Sequence, residues 1–492
     1  MLQPPHPTLF QLPTRVWLHA LGERLGRPAT LADAPEADLE AWATAGFDWI
    51  WPLGVWRIGP AVRSAALANR PLRQQLAALL PGLADNDIVG SCFAIDGYVV
   101  DPALGGDEAL AQLRERLHQH GLRLLVDFIP NHVGLGHPWL AEHPEWFIHG
   151  TSTDLALAPH NWTRVAGAEG ELILAHGRDP FFPGWSDTLQ LDYSQPALVA
   201  AMTAELAGVA RRCDGVRCDM AMLVLPEVFQ HTWGRYALPF WPAAIASVRA
   251  AQREFFFLAE VYWDLEAQLL AEGFDACYDK PLYDALHGSA PAVRARLFAS
   301  AEVQDRLVRF LENHDEARAA AAFPPGRHEA AAVLSYLAPG VRLFQRGQRE
   351  GHRIRLPVQL RRGPAEPVDL LSAAFYDGLW AVLGDLALRQ GSWCLLPVGP
   401  AHPDEATWRD VLAWTWVHPD AGTRLVVVNF APHASHALIG WPAASPDEQP
   451  QRLVWQPLWP DPSLSAVAIH PTGHGLTVEL GPWGYGLFAV SA

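Results

Sequence analysis

CDGVRCDMAM, Cys213 to Met222, is the stretch on which the reading of the whole chain turns. It reads as a short apolar strand that ends on Arg217 and Asp219, opposite charges two residues apart. Alternation along a strand sends both side chains to one face. Charge at the end of an apolar strand sits where burial is costly unless it is paired. An isolated R-x-D is ordinarily a strand-end salt bridge. Here three other β-rich apolar runs close on a carboxylate in the same way: LLVDFIPNH (Leu124–His132), FFFLAEVYW (Phe255–Trp263) and VRFLENHDEAR (Val308–Arg318).

Working outward, strand-like runs alternate with helical ones from Arg15 to about Leu388. The candidate strands are Arg15–Leu21, Phe47–Leu53, Leu122–Phe128, Asp214–Asp219, Phe255–Val261, Ala276–Asp279, Leu307–Asn313 and Ala331–Leu337. Between them lie helical segments such as Asp107–Gly121, with an acidic start and a glycine stop, and Pro196–Arg212. Continuous apolar strands alternating with helices imply a parallel sheet covered on both sides. Eight such units predict an α/β chain folded as a (β/α)8 TIM barrel. Two excursions interrupt it, one from Leu67 to about Asp101 and one from Val133 to about Asp187, the second rich in His, Pro, Trp and Gly. After Gly391 short β runs separated by turns (LVVVNF, QRLVWQPLW, SAVAIH, LTVEL, YGLFAV) predict an antiparallel β-sandwich. The expected division is a barrel over 1–132 and 188–390, a small irregular inserted domain over 133–187 after the third strand, and a C-terminal sandwich over 391–492.

Composition narrows the function. Half of the 492 residues are apolar and the formal net charge is −17. There is no Lys/Arg cluster to neutralise phosphates, which argues against nucleic acid as a partner. No run of about 18 apolar residues suggests a membrane span. The N-terminus lacks the basic start and apolar core of a signal peptide. Five cysteines without C-x-x-C pairing suit free thiols and a cytoplasmic location. The 21 tryptophans suit both sugar stacking and core packing. Nothing in the sequence sets an oligomeric state.

In a parallel barrel the C-terminal strand ends converge on one face. Asp127, Asp219, Glu260 and Asp315 all fall at such ends, with Arg217, His132 and His314 as positive or polar partners. Two carboxylates flanking a glycosidic bond are what retaining glycoside hydrolysis requires. A third stabilises positive charge in the transition state. Metal binding is the other common use of clustered acids and histidines, but no helical H-x-x-x-H or multi-His pattern accompanies them.

VDFIPNH, GVRCDMA, AEVYW and FLENHDE resemble, in order and spacing, the four signature regions of the α-amylase family, glycoside hydrolase family 13. The resemblance covers the barrel, the insertion after the third strand and the C-terminal sandwich. It implies an enzyme acting on α-glucosidic bonds of an α-glucan or oligosaccharide, by hydrolysis or by glycosyl transfer. It implies Asp219 as nucleophile, Glu260 as general acid/base and Asp315 as the third acid. Arg217 would fix the nucleophile, Asp127 would tie Arg217, His132 and His314 would bond the sugar, and Phe93, where many members carry Tyr, would stack on it. The Lys–His pair that follows the nucleophile in many α-amylases is replaced by Met222 and Leu223. Tyr262 and Trp263 would then offer an aromatic leaving-side subsite. The basic segment Phe344–Pro357 corresponds to a region that lines the site in the family. The family's calcium site is disfavoured: Asn131 matches one ligand, but the usual Asp is Gln190, an amide that binds calcium less strongly. No cofactor is therefore expected. The competing readings are a catalytically silent carbohydrate-binding or partner subunit of the same fold, which the intact acids argue against, and a metal-dependent barrel hydrolase.

Overall fold

The computed structural model describes residues 4–167, 170–299, 301–442, 449–460, 467–473 and 475–491. Eight strands close into a parallel barrel: β1 (Thr8–Pro13), β2 (Trp49–Leu53), β3 (Arg123–Phe128), β4 (Gly215–Cys218), β5 (Phe256–Ala259), β6 (Ala276–Tyr278), β7 (Leu307–Arg309) and β8 (Val341–Gln345). Six of these fall within the expected runs. The first and last expectations are overturned. Arg15–Leu21 lies in the helix Thr14–Leu25, and the strand is the preceding TLFQLP. Trp17, Leu18 and Leu21 recur at helical spacing and face the core. Ala331–Leu337 likewise falls on the helix Arg327–Tyr336 and its C-cap Leu337, and the run of alanines favours helix. The eighth strand comes after Pro339 and Gly340. The basic segment therefore begins inside β8, at Phe344 and Gln345.

Register places the charges. On β4, Arg217 lies opposite Asp127 of β3 on one side and Leu258 of β5 on the other. The excursion after β2 is a two-stranded ribbon, Trp56–Ile58 against Ile95–Val100, carrying the helices Pro60–Ala68 and Arg70–Leu79. The insertion after β3 starts and ends on one antiparallel pair, with His132 opposite Gln190, and holds a hairpin of Trp162–Gly167 and Gly170–Ala175. After β8, residues 346–369 cross the barrel mouth without regular structure. They meet the first excursion at an antiparallel bridge between Ile88 and Leu360.

Beyond Gly391 lie a five-stranded and a four-stranded antiparallel sheet. The first two residues of the expected strand SAVAIH lie outside the described residues, and its remainder opens the strand Val467–Thr472. One face of the five-stranded sheet joins the barrel core through Leu412, Trp414, Trp416, Val426 and Val428. The other packs on the four-stranded sheet through Val411, Ala413, Leu425 and Val427. Trp414 and Trp416 both donate their indole N–H to the Leu337 carbonyl, at 3.0 and 2.9 Å. Many tryptophans are thus core residues; Trp17, Trp49, Trp51, Trp56, Trp241, Trp414 and Trp416 are fully buried. No described helix is long and apolar enough to cross a membrane.

Candidate active site

The site grows from Arg217, which has no exposed surface. Its Nη1 donates to Asp219 Oδ1 at 2.6 Å. Its Nη2 lies 2.7 Å from Glu260 Oε2, an ion contact without hydrogen-bond alignment. Asp127 Oδ1 is 3.8 Å from Nη1. The guanidinium is further enclosed by the rings of Phe93, Trp51 and Tyr278, with centroids 5.1, 5.5 and 5.9 Å away. Three acids around one cation leave net negative charge in a dry place.

Burial therefore dominates, and raises the carboxyl pKa of both Asp219 and Glu260 above the ordinary range, while Arg217 pulls each back down. Asp127 is pushed up to about 6 by the same burial. Its Oδ2 accepts the N–H of Gly54 at 2.8 Å, so it ties β2 to β3 as well as facing Arg217. Gly54 needs to be glycine: its φ is +69°, and a Cβ there would lie 2.4 Å from the Cβ of Cys92.

The two central acids are also joined through backbone. Met220, directly after Asp219, holds a left-handed conformation with φ 42°. Its N–H donates to Glu260 Oε2 at 2.7 Å. Tyr262 donates its hydroxyl to Glu260 Oε1 at 2.9 Å. Trp263 and Asp264 have φ of 63° and 59°. Three of the four described non-glycine residues with positive φ thus lie within four residues after these two acids, where strain of about 1–3 kcal/mol each is held by the surroundings.

Around this pair, His314 stacks on Phe93 with centroids 5.1 Å apart, and its Nε2 lies 3.1 Å from Asp315 Oδ2. Gln11, from β1, meets His314 Nδ1 at 3.0 Å. His132 packs against Trp185 at 5.1 Å. Burial keeps both histidines neutral, with pKa lowered to about 3 for His314 and about 4 for His132. Asp315 is half-exposed at the mouth. Trp263 is 37% exposed, and its indole meets Phe181 of the insertion edge-on at 5.0 Å.

Residues 93–272 match the sequence model of the alpha-amylase catalytic domain. The barrel shares its fold with the alpha-amylases. An alpha-glucosidase from Culex pipiens is 31% identical over 140 residues, a quarter of this chain and 23% of that protein. An alpha-1,4-glucan:maltose-1-phosphate maltosyltransferase from Bifidobacterium longum is 32% identical over 127 residues, 25% of this chain and 15% of that one. The matches thus span less than a quarter of these relatives' own length. In fold, the crystal structure of alpha-amylase from Geobacillus thermoleovorans with acarbose aligns over 99% of this chain and 98% of that one, with a TM-score of 0.66 and 18% identity.

The alpha-amylase-type barrel brings the ten residues singled out from sequence to one mouth, with Trp263 on its outer rim. It departs from the expectations in two details. Tyr262 is half-buried with its hydroxyl on Glu260, instead of facing outward as a stacking platform beside Trp263. Asn131, the match to a calcium ligand, instead spends its side chain on that of Gln190, Nδ2 to Oε1 at 3.2 Å.

Calcium does not fit this donor set. Gln190 Nε2 donates toward Asn131 O, Asn131 Oδ1 and Leu191 O at 2.9, 3.0 and 3.0 Å. An N–H donor thus lies where three oxygens converge, and a cation would have to displace it.

Two contributors escaped the sequence reading. Gln11 and Tyr278 sit in apolar strands, and the one available signal was a polar atom on an inward position of each.

Proposed function

We propose that this chain is a retaining α-glycosidase or α-glucan transglycosylase working through a covalent glycosyl-enzyme intermediate. One observation carries the reading: a single buried guanidinium serves both Asp219 and Glu260. Two carboxyls that share one guanidinium lie close together, which favours the spacing of about 5–5.5 Å found in retaining enzymes over the roughly 6.5–9.5 Å of inverting ones. The unequal sharing supports a division of roles. Asp219 receives an aligned, charge-assisted hydrogen bond, which favours its ionised form and suits a nucleophile. Glu260 receives only an ion contact from Arg217, so the guanidinium offsets less of the burial that raises the pKa of both acids, which suits the protonated form that a general acid needs.

Asp219 then attacks the anomeric carbon while Glu260 protonates the departing oxygen, and water or a sugar hydroxyl completes the second inversion. Asp315, Phe93, His314 and His132 hold the sugar in the cleaved position, and Trp263 with Phe181 faces the leaving group. Beyond His314 the 346–369 loop meets the first excursion, which favours substrates that enter by a chain end. The amide pair of Asn131 and Gln190 holds the insertion over the cleft without an ion. Four buried thiols and one exposed, all free, suit a reducing cytoplasm.

The test is product stereochemistry. With an α-glucoside, NMR should show the α anomer first, and Asp219→Ala should lose activity by several orders of magnitude while keeping its fold. A first-formed β anomer, or an Asp219→Ala protein with full turnover, would sink the mechanism.

A further inference from the structure

On the β8 side of the mouth, next to His314, is a cavity of about 340 Å³. Its floor is the C-terminal ends of β1, β2 and β8, and its roof is the loop from Arg346 to Glu366. The roof is fastened to the first excursion. Val89 N–H donates to Gln359 O at 2.9 Å, Arg361 N–H donates to Asp87 O at 3.0 Å, and the Arg362 guanidinium takes both oxygens of Asp87 at 2.8 and 2.9 Å.

The lining is cationic in a chain of formal net charge −17. Arg15 is committed to Asp101 at 2.8 Å and Arg318 to Glu312 at 2.9 Å. Arg346 and Arg355 are not committed: among the described residues neither forms an ion pair with a carboxylate. Arg355 donates to the backbone oxygen of Asp315 at 3.0 Å. Burial lowers the pKa of Arg346, the mark of a guanidinium held partly out of water. Arg318 Nε is shielded from solvent and has no hydrogen-bond partner among the described residues; His314 Nε2 is shielded too, and its neighbour Asp315 Oδ2, 3.1 Å away, lacks hydrogen-bond alignment. Of the two lining carboxylates, Glu366 is taken up by the amides of Arg353 and Ile354, at 2.7 and 3.2 Å, and Glu23 is largely exposed.

We propose that this cavity receives a phosphate carried by the glycone sugar, so that the donor is a phosphorylated α-glucoside. Two unpaired guanidinium groups ask for about two negative charges. A phosphate monoester carries roughly −1.5 to −2 at pH 7 on three acceptor oxygens, and arginine forks bind it bidentately. A uronate supplies only one charge, and a neutral sugar leaves the partly buried Arg346 without a counter-charge, with the exposed Arg355 at the rim beside it. The proposal rests on the glycosidase reading, since it takes the cavity to be the glycone end of that site.

The experiment compares p-nitrophenyl α-glucoside with its 4- and 6-phosphates and with p-nitrophenyl α-glucuronide, alongside calorimetric titration of the protein with glucose 6-phosphate and inorganic phosphate. One of the phosphates should exceed the neutral glucoside in kcat/KM by a hundredfold or more. Arg346→Met and Arg355→Met should each lower that ratio at least tenfold and weaken phosphate binding by calorimetry. Equal kcat/KM for neutral and phosphorylated glucosides, or preference for the glucuronide, would overturn the phosphate assignment and leave the glycosidase reading standing. Phosphate binding that both variants weaken, in a protein that turns over none of the glucosides, would support the cavity and overturn the catalytic reading.

Discussion

The Tyr262 hydroxyl has one task in this geometry, and it is electrostatic. It donates to Glu260 Oε1, and a donor to a carboxylate favours the ionised form. Removing it in Tyr262→Phe raises the Glu260 pKa further above its ordinary value. The acid must be protonated to act, so the basic limb of the kcat/KM profile should move to higher pH. A net hydrogen bond of about 0.5–1.5 kcal/mol corresponds to a shift of roughly 0.4–1 pH unit. An unmoved basic limb would separate Tyr262 from the acid. At this scale the charged residues were legible in the sequence because four apolar runs in one chain each close on an acid, a recurrence that a lone strand-end salt bridge does not produce. Gln11 and Tyr278 were not, because a single polar atom in a buried strand looks the same whether it serves a site or only its neighbours.

At the scale of elements, the amide pair closing the insertion is the feature to test. Gln190→Glu keeps the shape and replaces an N–H donor with an oxygen facing Asn131 O, Asn131 Oδ1 and Leu191 O. Buried acceptors without donors and an added charge should cost about 3 kcal/mol or more. Four oxygens at one point are a better cation site, so calcium should raise the melting temperature of the variant. The parent protein should melt at the same temperature with calcium chloride or with EDTA. A calcium-dependent rise in the parent would contradict the donor geometry. The elements themselves were only partly legible. β1 is six residues ending in proline, followed by a helix whose aromatic and branched residues imitate a strand. The helix before β8 is apolar on nearly every side, so periodicity could not separate it from a buried strand. Barrel closure decides both cases, and closure is not a local property.

Across the whole molecule the C-terminal sheets are part of the barrel's stability. Trp416 is fully buried, bonds Leu337 O on the loop entering β8, and meets His6 just before β1 at 4.8 Å. It touches the seam where the barrel closes. Trp416→Ala should cost about 3–5 kcal/mol, and denaturant unfolding followed by fluorescence and by activity should show both signals lost together. Activity that survives after the fluorescence change would mean the barrel stands alone.

The strap from β8 to the first excursion has a consequence for polymers. Asp87 holds it with both carboxylate oxygens, and on the proposed reading a strap so fastened keeps the interior of a long chain from threading through on that side. Under the proposed glycosidase reading, an α-glucan would then be trimmed from a chain end and not cut in the middle. In a gelatinised starch suspension, reducing ends should accumulate while the paste stays thick. A rapid fall in viscosity, with few reducing ends released, would show that the strap lifts.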